Sequence, residues 1–173
     1  MRISVLGVDP GVSETGWAFL EGGGTGEIRL VASGLIRTSP RTLLPERLCL
    51  IHSACARVLA EHGPDAVAIE EMFFLKAAHT IRGTLQARGV ILLASAQAGR
   101  QIAEYNPRAV KLALTGSGRA DKAQMQRSVQ RSLGLPQALR PDDVADAAAI
   151  ALCHLRSQRL GALRVLDRFG GPS

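Results

Sequence analysis

Residues 2–9, RISVLGVD, form a run of branched and apolar residues that ends on Asp9 and is broken at once by Pro10-Gly11. A run this short, closed by a turn, reads as a buried strand. The same grammar returns at 66–69, where Ala66, Val67, Ala68 and Ile69 lead straight into the acidic pair Glu70-Glu71. Two buried strands that each end on an acid constrain the fold more than any other feature of the chain. Ligands of open α/β sheets gather beyond the carboxyl ends of the strands. If these two strands are neighbours, Asp9 and Glu70 converge there.

The rest of the chain supplies a sheet for them. Residues 17–20 and 27–37 continue the β pattern, and Gly22-Gly23-Gly24 between them reads as a hairpin connection, so the first three strands predict an antiparallel meander. From 45 to 62 the apolar positions Leu48, Ile51, Cys55, Val58 and Leu59 fall at helical spacing, and Gly63-Pro64 stops the helix. A long helix opens near Ala77 and closes near Ala98, and a brief strand follows at 101–104. Asn106-Pro107 opens a helical turn that ends at Gly116-Ser117-Gly118, a further helix covers 121–133, and the last begins at Pro141 and runs to about Leu160. This order predicts an α/β domain over 1–160, a five-stranded mixed sheet with the three-strand antiparallel meander first, flanked by helices. The tail 161–173 has little periodicity and is expected to be mobile.

Composition narrows the class. A chain of 173 residues has room for one domain of ordinary size, and 46% hydrophobic with 21% charged residues is the balance of a soluble globular protein. The longest mostly apolar stretch, 90–98, falls far short of the ~20 residues of a membrane-spanning helix. No charged-then-apolar leader opens the chain, so a cytoplasmic protein without a membrane partner is expected. Cys49, Cys55 and Cys153 are an odd number without a CxxC pair, which suggests neither a disulfide framework nor a zinc ribbon; all three are expected as reduced core thiols. The excess of 21 Lys and Arg over 15 Asp and Glu, a net +6, favours a polyanionic partner such as nucleic acid, although charge alone does not decide it.

The acids carry the chemistry. Taken alone, Asp9-Pro10-Gly11 is as readily a tight turn, and Glu70 as readily a solvated acid at a strand end. Their coincidence makes half of a metal site. Asp143 and Asp146, three apart, share one face of the last helix and supply the other half, while Asp142 points away from that face. Asp143 has an ordinary explanation in the favourable dipole of a first helical turn. Asp146 lacks it, because Val-Ala-Asp-Ala-Ala-Ala-Ile is a run that packs on the sheet, where an uncompensated carboxylate is costly. Four acids around one point need cations between them, and oxygen-only ligands suit Mg²⁺, with Mn²⁺ as a substitute. Two such ions per site suit phosphodiester hydrolysis. His52, His62, His79 and His154 are scattered and are expected at the surface or in packing roles.

Asp9-Pro10-Gly11 with Thr15-Gly16, Ala68-Ile69-Glu70, Gln86-Ala87-Arg88-Gly89, Gly116 to Lys122 with Gln124, and Asp143-Val144-Ala145-Asp146-Ala147 together resemble the RuvC family of Holliday junction resolvases, in order and over nearly the whole chain. The resemblance implies an RNase H-like fold and a homodimer that cuts two opposed strands of a four-way DNA junction by metal-assisted hydrolysis, leaving 5′-phosphate and 3′-hydroxyl ends. It implies Asp9, Glu70, Asp143 and Asp146 as metal-holding catalytic acids. The family sometimes has a histidine where this chain has Asp143, which makes that position the least constrained. It also implies cooperation with a branch-migration complex, RuvA-RuvB. The likeness fades at 22–26 and after Leu160.

Several residues then become candidate DNA contacts. Phe73 matches a family aromatic thought to stack on or wedge against bases near the crossover, Phe74 is the better candidate for burial under the long helix, and Lys76 is placed to hold a phosphate. Lys111, Arg119 and Lys122 belong to the densest basic region, together with Arg127 and Arg131, for which a solvated helix face is the simpler expectation. Lys111 and Lys122 match family lysines. Lys122 is assigned to catalysis as well as phosphate binding, at a glycine loop and helix start whose exposed N–H groups could receive phosphate. Arg88 and the helix over 77–98 are expected to pair the subunits, since two symmetric cuts require two sites about a two-fold axis.

Three other readings compete. An actin-like sugar kinase or ATPase also opens with an acid, glycine and threonine on a first hairpin, but it needs a second domain that this length cannot hold. A resolvase-like nuclease acting on RNA is closer. A junction-binding protein without catalysis would have little reason to keep four acids in place.

Overall fold

Alternation along the strands decides which helices cover which side. In the first strand Val5 faces one layer and Leu6 and Val8 the other; in the fourth, Ala66 and Ala68 oppose Val67 and Ile69 in the same manner. The computed structural model describes residues 2–22, 27–71 and 78–163. In chain order its elements are β1 (Ile3–Asp9), β2 (Glu14–Gly22), β3 (Ile28–Arg37), α1 (Leu44–His62), β4 (Ala66–Glu70), α2 (Ala78–Gln97), β5 (Gln101–Tyr105), α3 (Pro107–Thr115), α4 (Lys122–Ser132) and α5 (Asp142–Leu163).

All five strands join one sheet in the order β3-β2-β1-β4-β5. The β1–β2 and β2–β3 pairs are antiparallel, whereas β1–β4 and β4–β5 are parallel, so the expected mixed sheet with its meander is present. One layer packs α1 and α2 on Leu6, Val8, Phe19, Val67 and Ile69, with Ile51, Leu59 and Ile91 reaching in from the helices. The other packs α3, α4 and α5 on Val5, Ala18, Leu20, Ala66 and Ala68.

Local chemistry sets the helix ends. Gly63 takes the left-handed conformation (φ 55°) that closes α1, and its N–H donates to the Leu59 carbonyl at 3.0 Å. Asn106 caps α3 by accepting from the Arg108 N–H at 2.8 Å. Asp121 and Gln124 form a reciprocal capping box on α4, with bonds of 2.7 and 2.9 Å.

Differences from expectation are few. Strand β2 begins at Glu14, three residues earlier than its apolar run, because Gly16 pairs with Asp9. Helix α5 starts at Asp142, one residue after Pro141, and continues through Leu163, so the first three residues of the expected tail are helical. Residues 23–26 of the glycine-rich hairpin and 164–173 of the tail lie outside the described residues. Cys55 and Cys153 are buried but Cys49 is exposed; it sits on the opposite side of α1 from the buried row Arg47, Ile51, Cys55 and Leu59. No helix among the described residues is long and apolar enough to cross a membrane.

Candidate active site

Strand parity puts both strand-end acids on the α5 side. Asp9 follows Val5 and Gly7 at period two, and Glu70 follows Ala66 and Ala68. The register pairs Val5 with Ala66, Gly7 with Ala68 and Val8 with Ile69, which brings Asp9 level with Glu70 on the adjacent parallel strand. Side chains at such positions lie roughly 5 Å apart at Cβ.

Two glycines let α5 complete the group. A Cβ on Gly7 would stand 2.1 Å from the Ala147 carbonyl oxygen and 2.8 Å from the Ala151 Cβ. One on Gly16 would stand 2.1 Å from the carbonyl oxygen of Asp143. No side chain fits at either place, so the helix backbone lies directly on β1 and β2. Thr15, fully buried, steadies the intervening turn by donating its hydroxyl to the Gly11 carbonyl at 2.7 Å. The first turns of α5 thereby reach the ends of β1 and β4, and Asp143 and Asp146 arrive beside Asp9.

An open cleft of about 290 Å³ forms there, lined by Asp9, Glu70 and Asp146, by Lys111 and Lys122, and by an apolar wall that includes Val110, Met125 and Ile150. Asp143 lies at its rim and lines the adjoining depression with Lys122, Arg140 and Asp142. Burial, reinforced by the charges of Glu70, Asp146 and Asp143, pushes the Asp9 carboxyl up to about 8, while Lys122 draws it down. Burial and then Asp146 raise Glu70, against Lys111. Burial raises Asp146 too, against Lys122. Half-buried acids that raise one another are what an oxygen-only site for a hard divalent cation consists of before the cation compensates it. Among the described residues no three His, Cys, Asp or Glu side chains are already drawn into a ready-made cage. The donor chemistry fits Mg²⁺ or Mn²⁺, and such an ion would have to draw the carboxylates together.

Lys122 opens α4, and its ammonium pairs with Asp142 at 2.9 Å. Asp142, which lines the adjoining depression with Asp143, also accepts from Gln126 at 2.7 Å and Arg140 at 2.9 Å. It therefore holds the lysine at the edge of the cleft. The bond to Asp142 is the chief reason that the Lys122 ammonium is held above its ordinary value. Asp142 is not found from the helix face that Asp143 and Asp146 share, because its partner Lys122 lies on another helix.

Other expectations divide. Lys111 lines the cleft, and Arg119, Arg127 and Arg131 are exposed. Several amides of the glycine loop before α4 are already bonded within the chain. The N–H groups of Gly116, Ser117, Arg119 and Ala120 donate to Leu112, Thr115, Ser117 and Ser117 respectively, and the Gln124 N–H is taken by Asp121. Phe73, Phe74 and Lys76 lie outside the described residues. Arg88 is engaged within its own subunit: its Nε–H donates to the Glu70 carbonyl at 3.2 Å, its Nη2 pairs with Glu104, and its side chain is 15% exposed. The histidines are packing or surface groups where described; His154 is buried against Tyr105, 2.9 Å from its hydroxyl, His62 stacks on Phe19, and His52 meets Gln97 at 2.8 Å.

A mixed five-stranded sheet of this order, with acids at the ends of β1 and β4 and on the helix lying across them, is the RNase H-like class of nuclease folds. The family model for crossover junction endodeoxyribonuclease RuvC matches residues 5–154, and the chain belongs to that family. RuvC of Chloroflexus aggregans is 48% identical over 165 residues, 95% of this chain and 97% of that protein. RuvC of Syntrophomonas wolfei is 44% identical over 160 residues, 92% of each chain. The solved structure of T. thermophilus RuvC in complex with a Holliday junction substrate superposes with a TM-score of 0.87 at 37% identity, covering 92% of this chain and 96% of that one. The chain is thus a nuclease of a family whose chemistry implies a divalent metal.

Proposed function

We propose that this protein resolves Holliday junctions in DNA recombination and repair, acting in the cytoplasm as a homodimer that makes paired symmetric nicks. The observation that carries the reading is the convergence of Asp9, Glu70 and Asp146, with Asp143 at the rim, beside two lysines in an open cleft. These four acids would hold two Mg²⁺ ions, with Mn²⁺ able to substitute. When bound, such ions activate a water and neutralise the leaving oxygen of a phosphodiester. Lys122 and Lys111 carry positive charge to the scissile phosphate and its transition state. Lys122 leaves Asp142 to do so, an exchange that surface pairs of this sort permit at little cost. Arg119 and Lys76 are proposed to hold flanking phosphates, and Phe73, with Phe74 behind it, to meet bases near the crossover.

The homodimer reading draws support from α2. Gly89 lies on the exposed side of the helix, and a Cβ there would meet nothing within 4 Å among the described residues. A helical glycine costs about 1 kcal/mol against alanine. No close contact among the described residues offsets that cost, and Leu93, four residues on, is 51% exposed. A second copy crossing closely at Gly89 accounts for both. Such a dimer on a junction would work with the RuvA-RuvB branch-migration complex.

The test compares a mobile four-way junction with a matched linear duplex in Mg²⁺, Mn²⁺ and EDTA, using the wild type and Asp146→Asn. The reading predicts paired nicks on the junction alone, lost in EDTA and in the variant while junction binding persists. Normal cutting by Asp146→Asn, or equal cutting of the linear duplex, contradicts it.

A further inference from the structure

We infer that Arg88 is a positioning residue for Glu70, fixing the end of β4 against α2 without touching the nucleic acid or the ions. The inference rests on the reading of Glu70 as a metal-holding acid. Strand β4 stops at Glu70, so its last carbonyl has no further ladder to enter. Arg88 donates to that carbonyl through its Nε at 3.2 Å. The other end of the same guanidinium pairs with Glu104, on the neighbouring strand β5, where Glu104 lies opposite Ile69 and Tyr105 opposite Glu70. Beside this pair, the Glu71 N–H donates to the Tyr105 carbonyl at 2.8 Å. The ends of two parallel strands are thus tied to one another and to one helical side chain.

The helix that carries Arg88 is itself well seated, since Ala87 and Ile91 beside it are fully buried. The planar fork of arginine can donate to a carbonyl and a carboxylate at once, which the single nitrogen of lysine cannot do in the same geometry. Fixing the backbone of Glu70 limits where its carboxylate can reach, and groups that orient metal ligands from behind commonly change metal affinity or activity by 10- to 100-fold when removed. Arg88 holds the backbone and not the carboxylate itself, so the lower end of that range is expected. The same helix turns Gly89 and Leu93 outward, which makes Arg88 a mechanical link between that outer face and Glu70.

The test uses Arg88→Leu, Arg88→Lys and Glu104→Gln, with Glu70→Gln as reference. Four quantities are read: subunit mass, junction affinity in EDTA, binding of Mn²⁺ to the DNA-free protein followed by the paramagnetic signal of free Mn²⁺, and kcat and KM for junction cleavage. Arg88→Leu is expected to weaken Mn²⁺ binding and lower kcat, each about tenfold, with KM and junction affinity nearly unchanged. Arg88→Lys should fall between it and the wild type. If Arg88→Leu fails to fold, Glu104→Gln carries the test with a smaller loss in the same direction. Unchanged Mn²⁺ affinity and kcat overturn the proposal. So does dissociation to monomers with Mn²⁺ affinity intact, which would return Arg88 to the subunit interface. Should Glu70→Gln cut normally, the site reading itself fails; if Glu70→Gln is inactive while the Arg88 variants behave as wild type, only the positioning role does.

Discussion

The two faces of the sheet are packed in opposite ways. Against α1 and α2 the strands turn Leu6, Val8, Phe19, Val67 and Ile69, large side chains that meet Ile51, Leu59 and Ile91. Against α5 the same strands turn Val5, Gly7, Gly16, Ala18, Ala66 and Ala68 beside one large residue, Leu20, and the small ones meet Ala147, Ala148 and Ala151. Large side chains contribute stability, at roughly 0.8 kcal/mol for each buried methylene. Small ones contribute less burial but bring backbones together. The acids occupy the small face, where helix α5 comes close enough for Asp143 and Asp146 to join Asp9 and Glu70. The close backbone approach that brings α5 to the acids is thus confined to one side of the sheet.

The division breaks first at Gly16. Gly16→Ala places a methyl 2.1 Å from the Asp143 carbonyl oxygen, and backbone atoms cannot swing aside as a flexible side chain would. The start of α5 must lift, and junction cleavage in Mg²⁺ should fall by about a hundredfold or more, since displacements of about 1 Å have that effect on positioned groups. Ile91→Ala, on the other face, should lower unfolding free energy by about 2–5 kcal/mol in denaturant titration, while kcat of the folded protein changes little. Equal effects of the two variants on kcat would erase the distinction between the faces.

Much of this arrangement was legible in the sequence, and the reasons are specific. Asp9 and Glu70 could be found because each closes an apolar strand, and Asp146 because it interrupts an apolar helix. Period-two alternation could also have told which side the acids face, since small residues precede each of them at that spacing. The close approach at Gly7 and Gly16 was not legible, because a glycine in a strand looks the same whether it faces water or a helix backbone. The bonds of Arg88 to Glu70 and Glu104 were not legible for a related reason: α2 has no strong apolar stripe from which to read an orientation. The hold of Asp142 on Lys122 joins two helices that only tertiary structure brings together.

Acid–base behaviour sharpens the comparison further. The folded protein holds Asp9 at about 8 against an ordinary 3.8, so between those values the folded state binds more protons than the unfolded one. Stability then decreases as pH rises through that window and levels off above it. Glu70 and Asp146, also raised, act in the same direction. In EDTA the thermal midpoint should decline with pH in the wild type and decline less in Asp9→Asn. A wild-type midpoint that climbs through the same window would show the acids to be well compensated without a cation. The smallest effect belongs to exposed Arg119, where alanine should weaken junction binding slightly and reduce the slope of log affinity against log salt by about 0.9 if it holds one phosphate.

The central claim is that the small face gathers acids which a divalent cation completes. Calorimetric titration of Mg²⁺ into the DNA-free protein near pH 7, repeated in two buffers of different ionisation heat, tests it most directly. Binding must displace the proton that Asp9 retains, so the account predicts measurable proton release in the wild type, its loss in Asp9→Asn, and weaker binding in Asp146→Asn. Mg²⁺ binding without proton release, or binding that neither substitution alters, would contradict it.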